Sequence, residues 1–312
     1  SLAYLRQHGD EWEIGFVERS LGGMLWYTNQ REEGYRLVLS AESVCRKLRD
    51  MLSLTYVLAE LGGFATQSGD FAQALAYLNE AQGILEKSGY RNLTGLIYEN
   101  LAQIHLAQGN YPEAAEWFYK CADFHRQRGE LNLVASNLSW VSMALLRSGE
   151  YLRARQERET SLALAEQTND ITSRSWGYFE LGEIERITGD HAAARQAYEK
   201  GLRLFGENRF FNLQTFYYRA LGQIALAEGD YALARQHLNQ ALENARHSYH
   251  NWSLAYIDAC LAQVDIAEGR LVEARQHLAQ SLETAVFTGD LPLSFVPLCG
   301  FASLQGARGE HE

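Results

Sequence analysis

The sequence predicts an all-α fold in which pairs of helices repeat every 40 residues. A glycine followed by a polar residue recurs at this constant spacing, at Gly69, Gly109, Gly149, Gly189, Gly229, Gly269 and Gly309. Eight residues before each glycine stands an apolar anchor followed by a small residue, as in Leu181 and Gly182. A fixed period of this length is the sequence signature of an array in which each repeat packs on its neighbours.

Each repeat is predicted to contain two helices, because apolar residues recur at three- and four-residue spacing on both sides of the glycine. Glycine supplies the left-handed backbone that ends the first helix, and the polar residue after it can cap the amides of the second. These caps are Asp70, Asn110, Asp190 and Asp230. A second turn is predicted at Gly9, Gly89, Gly129, Asn169 and Gly289. The repeats fall at 11–50, 51–90, 91–130, 131–170, 171–210, 211–250 and 251–290, with a partial repeat at 291–312.

The order of these residues resembles the tetratricopeptide repeat over essentially the whole chain: Leu-Gly or Leu-Ala, then Gly-Asp-Tyr-x-x-Ala, then a second small residue. The usual repeat is about 34 residues long. The longer period, with segments such as 189–195 and 229–235, is similar to the 40-residue subclass of bacterial STAND signal-transduction ATPases and maltotriose-responsive transcription activators. The resemblance implies a right-handed superhelical solenoid of antiparallel helix pairs, with about seven repeats in a single domain over 1–312.

Composition and charge narrow the classes of function. The net charge of −11 argues against binding nucleic acid through this region. The four cysteines follow no metal or redox spacing, and Cys121 occupies a small-residue packing position, so a reducing cytoplasm is expected. No apolar run approaches the roughly 20 residues that a membrane span needs. Neither end shows the polar cap of a terminal repeat, which predicts a fragment of a longer protein.

No residues form a catalytic motif, so we expect a protein that is not an enzyme and needs no cofactor or metal. Gly22-Gly23 and Gly62-Gly63 lack the lysine of a P-loop and stand at the packing position of the repeat. His247 and His250 are three residues apart, but no third ligand is placed by the sequence. These features are explained by packing and solvent exposure.

The resemblance implies that the first helix of each repeat lines a concave groove where a partner binds. The expected binding residues are Tyr56, Glu99, Asn100, Gln103, Trp140, Met143, Trp176, Phe179, Glu183, Arg186, Phe216, Arg219, Gln223, Tyr256 and Gln263. The first partial repeat adds Phe16, Arg19 and Trp26. Aromatic residues and arginine are common where a partner side chain or a ring-shaped ligand is bound. The alternative for Trp176 and Phe216 is interhelical core, and Glu183 and Arg186 are spaced to pair with each other.

Two classes of function follow from the resemblance. The first is a sensor in a bacterial signal-transduction regulator, where a protein, peptide or small-molecule inducer binds the groove and controls an effector module that contacts the repeats within the same protein. The second is a passive adaptor that holds a peptide or a partner helix. A receptor for a peptide pheromone is a third possibility.

Overall fold

All regular structure in the described residues is helical. The computed structural model describes residues 2–28, 30–89, 91–205, 211–248, 251–288 and 291–308. Within these ranges the helices are α1 (Leu2–His8), α2 (Glu11–Tyr27), α3 (Arg31–Leu48), α4 (Met51–Gln67), α5 (Phe71–Ser88), α6 (Thr94–Ala107), α7 (Tyr111–Gln127), α8 (Leu131–Arg147), α9 (Tyr151–Gln167), α10 (Ile171–Thr188), α11 (His191–Arg203), α12 (Phe211–Ala227), α13 (Tyr231–Ser248), α14 (Asn251–Ala267), α15 (Leu271–Thr288) and α16 (Leu291–Arg308). A short 3-10 helix, Arg91–Leu93, precedes α6. Gly289, Gly309 and His250 lie outside the described residues.

The chain forms two compact units, Ser1–Thr168 and Asn169–Glu312. In both units consecutive helices pack side by side, and first helices of successive pairs also contact each other, as α4 contacts α6 and α12 contacts α14. Stacked helix pairs make these contacts, so the predicted all-α repeat architecture is confirmed. The expectation of a single domain over 1–312 stays a prediction.

The repeat glycines end the first helix of each pair. Gly69, Gly109, Gly149, Gly189, Gly229 and Gly269 have φ between 74° and 89°. Glycine adopts this left-handed region at little steric cost because it lacks a Cβ, unlike residues with a side chain. After Gly189, the amide of Asp190 donates to the carbonyl of Glu185 at 2.9 Å, which satisfies one of the last carbonyls of α10. The chain then reverses into the second helix.

Aspartates after the glycines cap the second helices, as predicted. Oδ1 of Asp70 accepts from the amide of Gln73 at 3.1 Å, and Oδ1 of Asp190 accepts from Ala193 at 2.9 Å. The prediction for Asn110 is wrong: its side chain forms no cap bond and its amide donates instead to Gln108. An asparagine can donate as well as accept, so it has a competing partner that aspartate lacks.

Small residues stand where helices of a pair approach most closely. A Cβ added at Gly182 would lie 2.2 Å from Cε1 of Tyr198, and one at Gly222 would lie 2.7 Å from Cγ of Leu238. Ala194 is fully buried. A Cβ added at Gly22 would lie 2.6 Å from Cγ2 of Val38, and one at Gly62 would lie 3.2 Å from Cδ2 of Leu78, so the first glycine of each pair in the sequence is a packing position, as predicted.

The second small position of the repeat also carries a hydrogen bond. The thiol of Cys121 donates to the carbonyl of Gly95, the residue 26 positions earlier. Ser161 and Ser281 donate their hydroxyls to carbonyls at the same offset, both at 2.7 Å. Because Cys121 is buried and bonded in this way, its predicted role as a packing residue is confirmed.

Candidate functional site

Nine of the predicted binding residues lie on three first helices of the second unit. They are Trp176, Phe179, Glu183 and Arg186 on α10, Phe216, Arg219 and Gln223 on α12, and Tyr256 and Gln263 on α14. Helix α10 packs on α12, and α12 packs on α14. We call these nine residues the second-unit surface. Their side chains are half-buried or exposed, which is the state of residues that can contact both the fold and a ligand.

The aromatic part of the second-unit surface is a three-ring cluster. The ring centroids of Trp176 and Phe216 are 5.4 Å apart, and Phe179 lies 5.9 Å from Trp176 and 5.8 Å from Phe216. Below it, Phe179 contacts the buried ring of Tyr217 at 5.6 Å. Trp176 is 39 % exposed, so it is not enclosed in the core. The cluster is anchored at Phe179 and accessible at Trp176.

An ion pair borders the aromatic cluster. Nη2 of Arg186 donates to Oε2 of Glu183 at 2.8 Å and Nε donates to Oε1 at 3.2 Å, which confirms the predicted pairing. The hydroxyl of Tyr198, on α11, donates to the same carboxylate. Burial opposes ionisation of Glu183, but the hydrogen bonds from Arg186 and Tyr198, with the charge of Arg219, outweigh it and lower the pKa of the carboxyl. Glu183 therefore remains charged at neutral pH.

Arg219 stands beside this pair with a different set of neighbours. Its Nη1 donates to Oε1 of Gln223 at 3.3 Å, and its Cζ lies 5.9 Å from the ring centroid of Tyr256. Gln223 in turn donates to the sulfur of Cys260 at 3.6 Å. Among the described residues, no carboxylate forms an ion pair with Arg219. The guanidinium keeps hydrogen-bond donors for a ligand.

Tyr217 supports the surface from below. Its buried hydroxyl donates to the carbonyl of Ser175, and burial raises its pKa. The small position of this repeat is Gly201, where an added Cβ would lie 2.1 Å from that hydroxyl. Ser175 is 26 residues before Gly201, the offset at which Ser161 and Ser281 bond. Tyr217 therefore supplies the donor that Gly201 lacks.

Among the predicted residues of the first unit, Phe16, Arg19 and the exposed Tyr56 lie together, with Cζ of Arg19 5.8 Å from the ring centroid of Phe16 and 5.9 Å from that of Tyr56. The remaining predicted residues described for this unit do not form a comparable cluster. Glu99 is half-buried, with a pKa that burial raises against the opposing charge of His125. The amide of Asn100 donates to the carbonyl of Leu96 at 2.8 Å in its own helix. Gln103 and Met143 are partly buried.

Two tryptophans of the first unit pack into the helix layers. Trp140 stacks on the fully buried Phe118, with centroids 5.8 Å apart and planes at 11°. Trp26 stacks on Phe64 at 4.1 Å and its indole donates to Gln67. Trp26 is 6 % exposed, so the expectation that it lines a groove is wrong. The Trp26 ring is buried because it stacks on Phe64 of the neighbouring first helix.

Two residues outside the predicted set also contact these surfaces. Glu60 on α4 forms an ion pair with Arg19 at 3.3 Å, and Tyr198 bonds Glu183 from a second helix. Glu60 stands one residue before its apolar anchor, the position that the predicted residues Asn100 and Trp140 occupy in other repeats. The role of Tyr198 has no signal in the sequence, because the predicted binding residues all lie on first helices and Tyr198 lies on a second helix.

The described part of the chain contains no group of three or more His, Cys, Asp or Glu side chains placed to hold a metal ion. None of its helices combines the length and apolar character needed to cross a membrane.

Family models confirm the repeat pattern. Models described as "Tetratricopeptide repeat" match residues 52–127, 133–207, 217–248 and 255–280. No curated protein sequence gives a significant match.

Solved structures share this fold at low sequence identity. A signal transduction ATPase with numerous domains and a tetratricopeptide repeat sensor, from Pyrococcus horikoshii, is 16 % identical with a TM-score of 0.68, covering 92 % of this chain and 44 % of that one. The apo quorum sensor NprR from B. thuringiensis is 13 % identical with a TM-score of 0.63, covering 93 % and 81 %. A Rap protein complexed with competence and sporulation factor is 13 % identical with a TM-score of 0.57, covering 96 % and 99 %. This chain thus spans less than half the length of the Pyrococcus protein.

Proposed function

Because this chain belongs to the tetratricopeptide repeat family, we propose that it is the sensor region of a bacterial signal-transduction regulator that binds its inducer on the second-unit surface. The inducer is a peptide or a segment of a protein, and its binding controls an attached effector module in the cytoplasm. The fold itself is that of an interaction or sensor domain. The sensor named in the Pyrococcus structure and the quorum sensor support this choice.

One observation carries the proposal: the exposed ring of Trp176, within its aromatic cluster, and an arginine that has no carboxylate partner among the described residues lie on adjacent first helices. Trp176 on α10 offers a flat apolar face, and Arg219 offers charged hydrogen-bond donors on the adjacent first helix α12. Tryptophan, tyrosine and arginine dominate the binding energy of protein interfaces. A peptide with one apolar and one polar anchor fits such a surface better than a uniformly apolar ligand does.

The test is a selection of displayed random peptides on the wild-type chain, followed by affinity measurements on variants. Trp176→Ala with Arg219→Ala is expected to weaken the selected peptides at least about 30-fold, because each truncation removes a typical hot-spot contact. Helical content and melting temperature should change little, since both side chains are partly exposed.

The matched control removes the same residue classes from second helices. Phe287 on α15 is 81 % exposed, and Arg203 on α11 is 67 % exposed. Phe287→Ala with Arg203→Ala should leave the affinity unchanged. Equal affinities in the two double variants, or loss of helical structure in Trp176→Ala with Arg219→Ala, would contradict the proposal.

Hydrogen exchange separates a sensor from a passive adaptor or a simple peptide receptor. A sensor's ligand must bind one conformational state better than another, so exchange should change in helices that do not touch the ligand. For an adaptor, protection by a selected peptide would be confined to the helices it contacts.

A further inference from the structure

The arginine site of the second unit has a counterpart in the first unit. Phe216, Arg219 and Tyr256 stand 200 residues, or five repeats of 40, after Phe16, Arg19 and Tyr56. No other repeat carries arginine at this position, where the intervening residues are Ala59, Glu99, Ser139 and Phe179. The same three side chains thus occur together twice, once in each unit.

Both arginines lie against the tyrosine of the next first helix. Cζ of Arg19 lies 5.8 Å from the ring centroid of Phe16 and 5.9 Å from that of Tyr56. Cζ of Arg219 lies 5.9 Å from the ring centroid of Tyr256. In both units the guanidinium lies against a tyrosine ring of the adjacent first helix, which limits its hydration, and in the first unit it also lies against the ring of Phe16.

The counterparts differ in what neutralises the arginine. In the first unit, Nη1 of Arg19 donates to Oε2 of Glu60 at 3.3 Å. Gly23 leaves room for that carboxylate, because a Cβ there would lie 2.3 Å from Oε1 of Glu60. The first unit therefore contains an arginine, a carboxylate and a glycine that makes space for the carboxylate.

In the second unit both supporting residues are exchanged. Gln223 takes the place of Gly23, and Cys260 takes the place of Glu60. Cys260 is buried, which raises the pKa of its thiol and keeps it neutral. The only charged carboxylate beside Arg219 that the described residues supply is Glu183, and Arg186 bonds both of its oxygens. Arg219 thus has a neutral amide where Arg19 has a carboxylate.

We propose that Arg219 binds a carboxylate of the ligand, in the place that Glu60 occupies in the first unit. This inference rests on the proposed function and specifies its ligand: a peptide with an aromatic or other apolar side chain close to a carboxylate. The apolar group contacts Trp176 and Phe216, and the carboxylate accepts hydrogen bonds from Arg219. Arginine's planar donor fork suits a carboxylate, and the charge-assisted bonds are stronger than neutral ones. In the first-unit counterpart Glu60 already neutralises Arg19, so that site does not bind an anion.

The carboxylate has two possible sources in a peptide, an acidic side chain or the free C-terminus. N-acetylphenylalanine represents the C-terminus, and a doubly capped phenylalanyl-aspartate dipeptide represents the side chain. Their neutral counterparts are N-acetylphenylalaninamide and the capped phenylalanyl-asparagine dipeptide. Titrations of the full chain follow the side-chain Nε–H resonances of Arg219 and Arg19, each assigned with an Arg→Lys variant.

At least one acidic probe is expected to bind in the millimolar range and to shift the Arg219 resonance while leaving Arg19 unaffected. It should bind at least about tenfold better than its neutral counterpart. The acidic probe that binds identifies the source. Equal binding of acid and amide, or binding by neither acid, would overturn the proposal.

A charge exchange tests the counterpart argument directly. Cys260→Glu with Gln223→Gly rebuilds the first-unit arrangement around Arg219, and Cys260→Gln with Gln223→Gly is its neutral twin with the same shape. The glutamate variant should bind the acidic probe at least about tenfold more weakly than the twin. Equal affinities in the two folded variants would overturn the proposal. Circular dichroism of the neutral twin shows how much helical structure the changes remove without the added charge, including the cost of Gln223→Gly.

The reverse exchange should let Arg19 of the first unit bind the acidic probe. Glu60→Gln gives Arg19 the neutral amide that Arg219 has, so the acidic probe should now shift both arginine resonances. An unaffected Arg19 would contradict the role given to Glu60. These probes do not depend on the natural inducer, so the two proposals can fail separately. If the acidic probe binds selectively at Arg219 but the double variant Trp176→Ala with Arg219→Ala binds the selected peptides normally, only the proposed function is refuted.

If the double variant loses the selected peptides but the acidic probe does not bind selectively at Arg219, only the proposal of a ligand carboxylate is refuted.

Discussion

At the scale of single residues, the hydroxyl of Tyr217 shows how one repeat compensates for a missing side chain. Three other repeats place a serine or cysteine at the second small position and bond it to a carbonyl 26 residues earlier. Gly201 has no donor, and Tyr217 reaches the same carbonyl from α12. The sequence does show glycine at this position, but it contains no sign that a residue of the next repeat fills the space.

We expect Tyr217→Phe to lower the free energy of unfolding by about 1 kcal/mol, because a buried hydrogen bond contributes about 0.5–1.5 kcal/mol. Tyr218→Phe is the matched control, since the hydroxyl of Tyr218 bonds no described residue. Urea unfolding followed by circular dichroism measures both. Equal stabilities of the two variants would contradict the assigned hydrogen bond.

The raised pKa of the Cys121 thiol leads us to expect that the free energy of unfolding depends on pH. Burial raises the pKa of its thiol to about 12, with the nearby charge of Glu99 adding to the shift. An unfolded thiol ionises near pH 8.5, so its contribution to stability is complete below that pH and is lost as pH rises toward 12. Between pH 7.5 and 9.5 this group alone should lower the free energy of unfolding by about 1.4 kcal/mol.

Cys121→Ser is the control for this titration, because serine stands at the equivalent positions 161 and 281 and does not ionise there. The pH dependence between 7.5 and 9.5 should be smaller in the variant by the stated amount. Identical pH profiles of the two proteins in urea unfolding would show that the native thiol ionises normally.

At the scale of helices, most of the fold could be predicted from the sequence, because the same turn and cap residues recur in successive repeats and one atypical repeat does not hide the pattern. Six glycines with positive φ and the aspartate caps stand where the period places them. Orientation of large side chains was less predictable. Trp140 and Trp26 stack on rings of neighbouring helices, and that choice depends on what the partner helix offers. Spacing along one helix does not encode it.

The caps give a prediction at the same scale. Asp70→Ala should lower the free energy of unfolding by about 1 kcal/mol, because it removes the bond to the amide of Gln73 at the start of α5. Asn110→Ala should cost much less, since Asn110 makes no cap bond to α7. Both changes lie in the first unit, and urea unfolding compares them. A larger loss for Asn110→Ala would contradict the assigned caps.

At the scale of the whole molecule, the two compact units have the same repeat and different surfaces. The first unit neutralises its half-buried Arg19 with Glu60, while Arg219 of the second unit bonds the neutral amide of Gln223. The sequence places both arginines at one position of the repeat. It does not show which one has a carboxylate partner, because that depends on Gly23 and Gln223 admitting or excluding a side chain from the next helix.

The central claim is that the second-unit surface binds the ligand, and hydrogen exchange of the full chain with and without a selected peptide tests it most directly. We expect the strongest new protection in α10, α12 and α14, lost in Trp176→Ala with Arg219→Ala and retained in Phe287→Ala with Arg203→Ala. Protection that maps instead to second helices, or that persists in the first double variant, would contradict the claim.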